Sequence, residues 1–373
     1  MLSEIILEIE KRDNQRNIKI REYAYNKWNS IAKPIHGLGE FEDIIMKIAG
    51  IQNNINVDIS KRAVVIFCSD NGIVSEGVSQ AGMEITGIVA KNITYGSASI
   101  CHMAEKASVD CIPVDIGIAE QLTDCGSKYP IIEHVIRRCT GNIAREESMT
   151  IMEANDAILV GIKLVEDLKN KGCKLIATGE MGIGNTAVSS ALAAIMTGED
   201  VAAVTGKGAG GSLEMYQRKI KVLKTVVSRL EKTRQLFESQ ISGKYNERIE
   251  VILELLSKAG GLDIAGMVGL YLGGALYGIP VITDGFISNV AALMAINLCS
   301  ECKNIIIASH TSAEPAAKII LEKIGIKAVI NANMCLGEGT GALMILPLLD
   351  MALAVYNNMS TFEDIEIDSY TVY

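Results

Sequence analysis

From about residue 60 onward the chain repeats one texture. A short run of β-branched and apolar residues ends in Gly, Asp, Asn or Ser and gives way to a helical stretch. The runs are 63–68, 110–116, 174–178, 280–283, 304–308 and 328–331. Strands alternating with helices predict a parallel sheet with helices on both faces, an α/β fold. The runs are almost continuously apolar, as strands covered on both sides must be. Ligands of open parallel sheets sit beyond the carboxyl ends of the strands. The polar residues that close each run are therefore where chemistry is to be sought.

The rest of the chain reads as helix. Leu2, Ile5, Ile6 and Ile9 form an apolar stripe at helical spacing, and a second helical stretch covers about 41–51, with Pro34 between them. Residues 213–257 are charged and helical, a long helical crossover or an excursion from the sheet. A last helix, 342–356, precedes a short acidic tail. The terminal helices are expected to pack together as a small cap, 1–57 with 346–373, around a sheet domain at 58–345. The uncharged stretch 265–283 is long enough to raise the question of a membrane span. It contains five glycines and Pro280, and a buried helix feeding a buried strand accounts for it better.

The chain of 373 residues is 49 % hydrophobic and carries a net charge of −9. It holds no basic cluster of the size a nucleic-acid backbone requires, so nucleic acid is not an expected partner. A small anionic substrate remains open to it, because glycine loops and one Lys can hold a phosphate inside an acidic protein. The nine Cys are odd in number and without framework spacing, the pattern of reduced, buried thiols in a cytoplasmic protein. Cys299 and Cys302 lack the second pair that zinc would need. Met1-Leu2-Ser3-Glu4 starts no basic or apolar leader.

Three glycine-rich segments could carry chemistry. Thr178-Gly179-Glu180-Met181-Gly182-Ile183-Gly184-Asn185-Thr186 opens a helix and reads as an anion loop or as a tight strand–helix turn. Thr205-Gly206-Lys207-Gly208-Ala209-Gly210-Gly211-Ser212 reads as a backbone-amide cradle or as a connector. In Leu336-Gly337-Glu338-Gly339-Thr340-Gly341 a carboxylate lies between glycines, which leave room for a ligand against it. Apolar neighbours would raise its pKa and make it a usable base near neutral pH; equally, it could be a helix-start Glu favoured by the macrodipole. His310, in Ser309-His310-Thr311-Ser312, has no nucleophile motif beside it and reads as structural, with Ser312 capping the next helix.

Taken in order, these segments resemble the nicotinate-nucleotide:dimethylbenzimidazole phosphoribosyltransferase family, from about Lys33 to Leu349. The match includes Asp70-Asn71-Gly72-Ile73, Glu76-Gly77-Val78-Ser79, Glu84-Ile85-Thr86, Asp284-Gly285-Phe286 and Ser309 to Pro315, besides the three glycine segments. The resemblance implies a Rossmann-like sheet domain, a small helical domain built from both termini, and a dimer of like chains or with a homologous subunit. It implies that Glu338 takes the proton of an incoming aromatic base. It also implies that Glu180, Gly182, Gly184, Gly206, Gly208, Lys219, Ser309 and Gly337 surround nicotinate mononucleotide, and that Ser79 and Met83 line the base pocket.

One carboxylate suffices for such a transfer. The departing nicotinate leaves a cationic nitrogen and becomes a neutral ring, so no general acid, metal or cofactor is needed; glycosidases need two carboxylates because their leaving oxygen must be protonated. A single displacement would invert the ribose carbon. The chain departs from the family at two points. Ala81-Gly82-Met83 stands where Tyr-Pro-Gln is usual, and an apolar thioether in place of an amide suits a phenolic acceptor. Gly206-Lys207-Gly208-Ala209-Gly210 stands for Gly-Arg-Gly-Thr-Gly, and the acidic residues that follow are replaced by Gly211, Ser212 and Leu213. This second change raises the alternative of a weakly active or non-catalytic subunit that stabilises a homologous partner.

Overall fold

The structure, a computed structural model, describes residues 1–11, 14–208 and 210–370. Ala209 of the second glycine segment lies outside the described residues, as do 12–13 and 371–373 of the expected cap.

The described residues contain one sheet of six parallel strands. These are β1 (Arg62–Ser69), β2 (Val109–Gly117), β3 (Ile132–Glu133), β4 (Leu175–Met181), β5 (Val281–Thr283) and β6 (Ile306–Ala308). Their order is β3-β2-β1-β4-β5-β6, the doubly wound arrangement that reverses direction between β1 and β4. Five of the six predicted runs are strands, with ends moved by up to three residues. The sixth, 328–331, is not: only Ile330 bridges to His310, in parallel. The chain reaches the sheet edge there after β6 has already become loop, so no ladder can extend. β3 was not anticipated; two residues paired with Val114 and Asp115 are too few to leave a periodic signal.

Period-two alternation sends each strand's side chains to two cores. Ala63, Val65 and Phe67 of β1 point into one, Val64, Ile66 and Cys68 into the other. The first core is covered by the helices Ile151–Asn170, Asn185–Thr197 and Leu262–Tyr277. The last of these, with β5, is the stretch that raised the membrane question. A Cβ on Gly269 would meet the Ile158 carbonyl oxygen at 2.0 Å, so its glycines serve close contact with the neighbouring helix. The excursion is three helices, Leu213–Arg229, Glu231–Gln240 and Tyr245–Ala259.

The second core is covered by Asn14–Ser30, Glu40–Gln52, Ser99–Ala107 and Leu346–Asn358. The chain ends meet here: the Trp28 and Tyr356 rings lie 4.8 Å apart, and the Ala32 and Phe362 amides donate to the carbonyls of Ser360 and Ser30, both at 3.0 Å. The helix Leu2–Glu10 lies apart from this group, with Leu2, Ile6 and Ile9 in the first core. All nine cysteines are unpaired; six are buried, but Cys125 and Cys335 are exposed, contrary to a uniform reading as buried thiols.

Candidate active site

A cleft of about 250 Å³ opens at the carboxyl ends of β4, β5 and β6, beside the reversal point of the sheet. Glu180, Gly182, Gly208, Gly337 and Glu338 line it directly. Gly184, Gly206, Lys219 and Ser309 stand just behind that surface. Gly184 precedes the helix Asn185–Thr197. The Lys219 ammonium is buried and donates to Thr186 Oγ1 and the Gly206 carbonyl, each at 3.1 Å. Ser309 Oγ donates to the Asp284 carbonyl at 3.1 Å. Ser79 and Met83 are outside this lining. Met83 packs its sulfur 3.7 Å from Cys139 Sγ, and its segment is tied to the cleft through Thr86 Oγ1, which accepts from the Ile183 amide at 3.0 Å.

Glu338 sits in a backbone that few residues adopt. Gly337, Glu338 and Gly339 all have positive φ, 85°, 60° and 90°; glycine does so freely, whereas Glu338 is held there by its surroundings. The holder is Asp284, at the end of β5. Its Oδ2 accepts from the Gly339 amide at 3.1 Å, and its Oδ1 from Gly341 at 2.7 Å and Ala342 at 3.2 Å. The Glu338 carboxylate then points to the first turn of Ser99–Ala107, where the Ile100 amide lies 3.4 Å from Oε2. Burial pushes the Glu338 pKa above the usual carboxylate range; the Ile100 amide opposes this and the Asp284 charge adds to it.

Beneath lies a buried acidic network. The Asn185 side-chain amide bridges Glu180 and Asp263, 2.9 Å from the latter and at shorter range to the former. Burial raises the pKa of Glu180 well above its ordinary value, that of Asp263 to about 6, and that of Asp284. Burial thus shifts each of these groups toward the protonated form, most strongly Glu180, and a protonated carboxyl can donate to a ligand hydroxyl. His310 lines the cleft, with Nδ1 3.0 Å from Ser309 Oγ; burial lowers its pKa while Asp284 raises it. Ser312 does not cap a helix. Its Oγ accepts from Glu314, and the helix Ala316–Ile324 starts later, after Pro315.

Sequence reasoning placed Asp284, Asn185 and Glu314 inside matched segments but gave them no role, and it passed over Asp263. Asp284 follows β5 immediately, so the rule of strand carboxyl ends could have found it. Asp263 reads as an ordinary first-turn acid of Leu262–Tyr277, and only its complete burial reveals otherwise.

A doubly wound parallel sheet with glycine loops, a buried Lys and a glycine-flanked carboxylate around one cleft defines an α/β group-transfer enzyme. A phosphoribosyltransferase family model matches residues 14–367. The nicotinate-nucleotide–dimethylbenzimidazole phosphoribosyltransferase of Acetivibrio thermocellus is 41 % identical over 94 % of this chain and 94 % of its own. That of Clostridium acetobutylicum is 38 % identical, over 94 % and 95 %. The crystal structure of CobT from Thermus thermophilus superposes with a TM-score of 0.84 at 30 % identity, covering 94 % of this chain and 99 % of that one. The chain belongs to the nicotinate-nucleotide:dimethylbenzimidazole phosphoribosyltransferase family, and with it to the pentosyltransferases.

Proposed function

We propose that this enzyme moves the 5-phosphoribosyl group of nicotinate mononucleotide onto an aromatic base, benzimidazole or phenolic, with inversion at the ribose carbon, as a step of cobamide synthesis. The observation that carries the reading is Glu338: a half-buried, glycine-flanked carboxylate of raised pKa, held by Asp284 over a cleft lined with glycine loops. The acceptor's N–H or O–H proton passes to Glu338, and its electron pair attacks C1′ of the ribose. The bond from C1′ to the pyridinium nitrogen breaks with its electron pair going to that nitrogen, leaving nicotinate with an uncharged ring. The phosphate lies on the Gly206 and Gly208 backbone, near Lys219 and the first turn of Asn185–Thr197. Glu180, below Gly337, faces the ribose hydroxyls. Ser79 and Met83 bound the acceptor from the β1 side.

Large exposed apolar side chains, among them Ile88, Met344 and Met351, suit a dimer, of like chains or with a homologous subunit in the cytoplasm. The deciding experiment is nicotinate release by the purified chain with dimethylbenzimidazole, adenine and phenol in parallel. Release with at least one acceptor is expected. No release with any acceptor, regained only when a homologous subunit is added, would assign the chain to the supporting role in a pair.

The pH profile provides a second test. Glu338 acts as the carboxylate, so kcat/KM falls as pH drops through its pKa. Because burial raises that pKa, the acid limb lies above the range of an exposed glutamate, about 4.3. A limb at or below the exposed range removes the buried carboxylate as base.

A further inference from the structure

Glu314 is placed where a nucleotide phosphate is least expected to tolerate it. It lines the cleft together with Thr186, Gly208 and Ser312. Its Oε2 lies against Gly206, so closely that a Cβ there would be 1.8 Å away. That oxygen is buried and has no hydrogen-bond partner. Lys219, a buried cation of the helix Leu213–Arg229, spends its hydrogen bonds on Thr186 and Gly206 rather than on a carboxylate. The other titratable and charged groups are Lys207 on the loop itself, Lys318 on the helix that follows Glu314, and His310, Asp284, Glu180 and Glu338 in the cleft. Lys207 and Lys318 are exposed. Only Lys219 and the Gly208 amide favour the Glu314 charge appreciably.

A phosphate drawn to the same amides and the same Lys219 brings a second anion beside Glu314. Like charges in an enclosed site cannot both persist; one of them takes a proton. The oxygen with no partner then becomes a donor facing the phosphate.

We propose that Glu314 binds the nucleotide as the neutral acid, donating its O–H to a phosphate oxygen, so that nucleotide binding takes one proton from solvent. The inference rests on the phosphoribosyl reading of the cleft. Burial already pushes the Glu314 pKa upward in the free protein, against the pull of Lys219 and Gly208, so the group is poised for the change. The sign follows directly. The bound state needs the protonated acid, so affinity weakens as pH rises above the free-state pKa, by up to about tenfold per pH unit.

Calorimetry of nicotinate mononucleotide binding in buffers of different ionisation enthalpy counts the protons taken up. At pH 7 Lys219, with its pKa lowered to about 8, is already mostly charged. The intact chain should take up more protons with the nucleotide than with the riboside lacking phosphate. Glu314→Gln should take up about one fewer than the intact chain, and the phosphate's own ionisation cancels in that difference. Equal uptake by the two chains overturns the proposal, as does a Glu314→Gln chain that binds more tightly with unchanged proton uptake. Should the variant not fold, the nucleotide–riboside comparison in the intact chain decides: equal uptake overturns it, and an excess beyond the phosphate's own ionisation supports it. If the intact chain binds the riboside but not the nucleotide, the phosphoribosyl reading fails first and takes the proposal with it.

Discussion

Glu338→Gln lowers kcat by about 10²–10⁴-fold, the usual contribution of a positioned general base. The amide has the same shape, and its oxygen can still accept from Ile100, so the loop geometry is preserved. What is lost is the proton sink opposite the acceptor. Nicotinate mononucleotide affinity should stay within a factor of about three, because binding common to ground and transition states is untouched. Single-turnover nicotinate release alongside calorimetric affinity separates the two quantities. An unchanged rate would show that the acceptor proton goes elsewhere, and Glu338 would lose its role.

Asp284→Asn is the second large effect, and it acts through Glu338. The Asp284 carboxylate accepts three backbone N–H groups from the loop that carries Glu338. An amide replaces one acceptor oxygen by a donor, setting N–H against N–H in a buried place. A buried donor without a partner costs about 1–3 kcal/mol, which denaturant unfolding should read as lost stability. Displacing the base by a fraction of an ångström further lowers kcat, by about 10–10²-fold. One readout separates this positioning role from mere support of the fold. The Asp284 charge helps hold the Glu338 pKa up, so its removal lowers that pKa and moves the acid limb of kcat/KM to lower pH. A variant that loses stability and rate but keeps the limb in place would make Asp284 structural only.

Much of this arrangement was legible because the sheet is buried on both faces. β1 reads as a strand from its apolar run alone, and all eight of its residues are buried. The glycine segments after β4 and before Thr340 announced themselves by composition, and the cleft does bring Glu180, Gly182, Gly337 and Glu338 together. Other features depend on contacts no local pattern records. β3 exists because Asp115 and Val114 offer an edge to two residues. Asp284 matters because a loop more than fifty residues later turns its amides toward it. His310, read as structural from the lack of a nucleophile motif, stands in the cleft wall because β6 ends one residue before Ser309. Ser312 was read as the cap of the next helix, yet that helix begins after Pro315 and leaves the Glu314 carboxylate facing Gly206.

The reversal of strand order between β1 and β4 divides the cleft's surroundings unequally. Glu338, its Asp284 anchor, the Gly206–Gly208 loop and Glu314 all belong to the β4–β6 side, while Ser79, Met83 and Cys139 come from segments after β1 and β2. The two flanks are joined through the Ile100 amide at Glu338 and the Thr86 hydroxyl at Ile183. On the proposed reading, mutations that alter which acceptor is welcomed would fall in a different part of the sequence from those that govern bond making. For an engineer working from the proposed reading, libraries at Ser79 and Met83 that keep Thr86 and Val89 would vary the acceptor side without substituting the cleft lining; for evolution, the same seam would let a lineage change its product without rebuilding its catalyst.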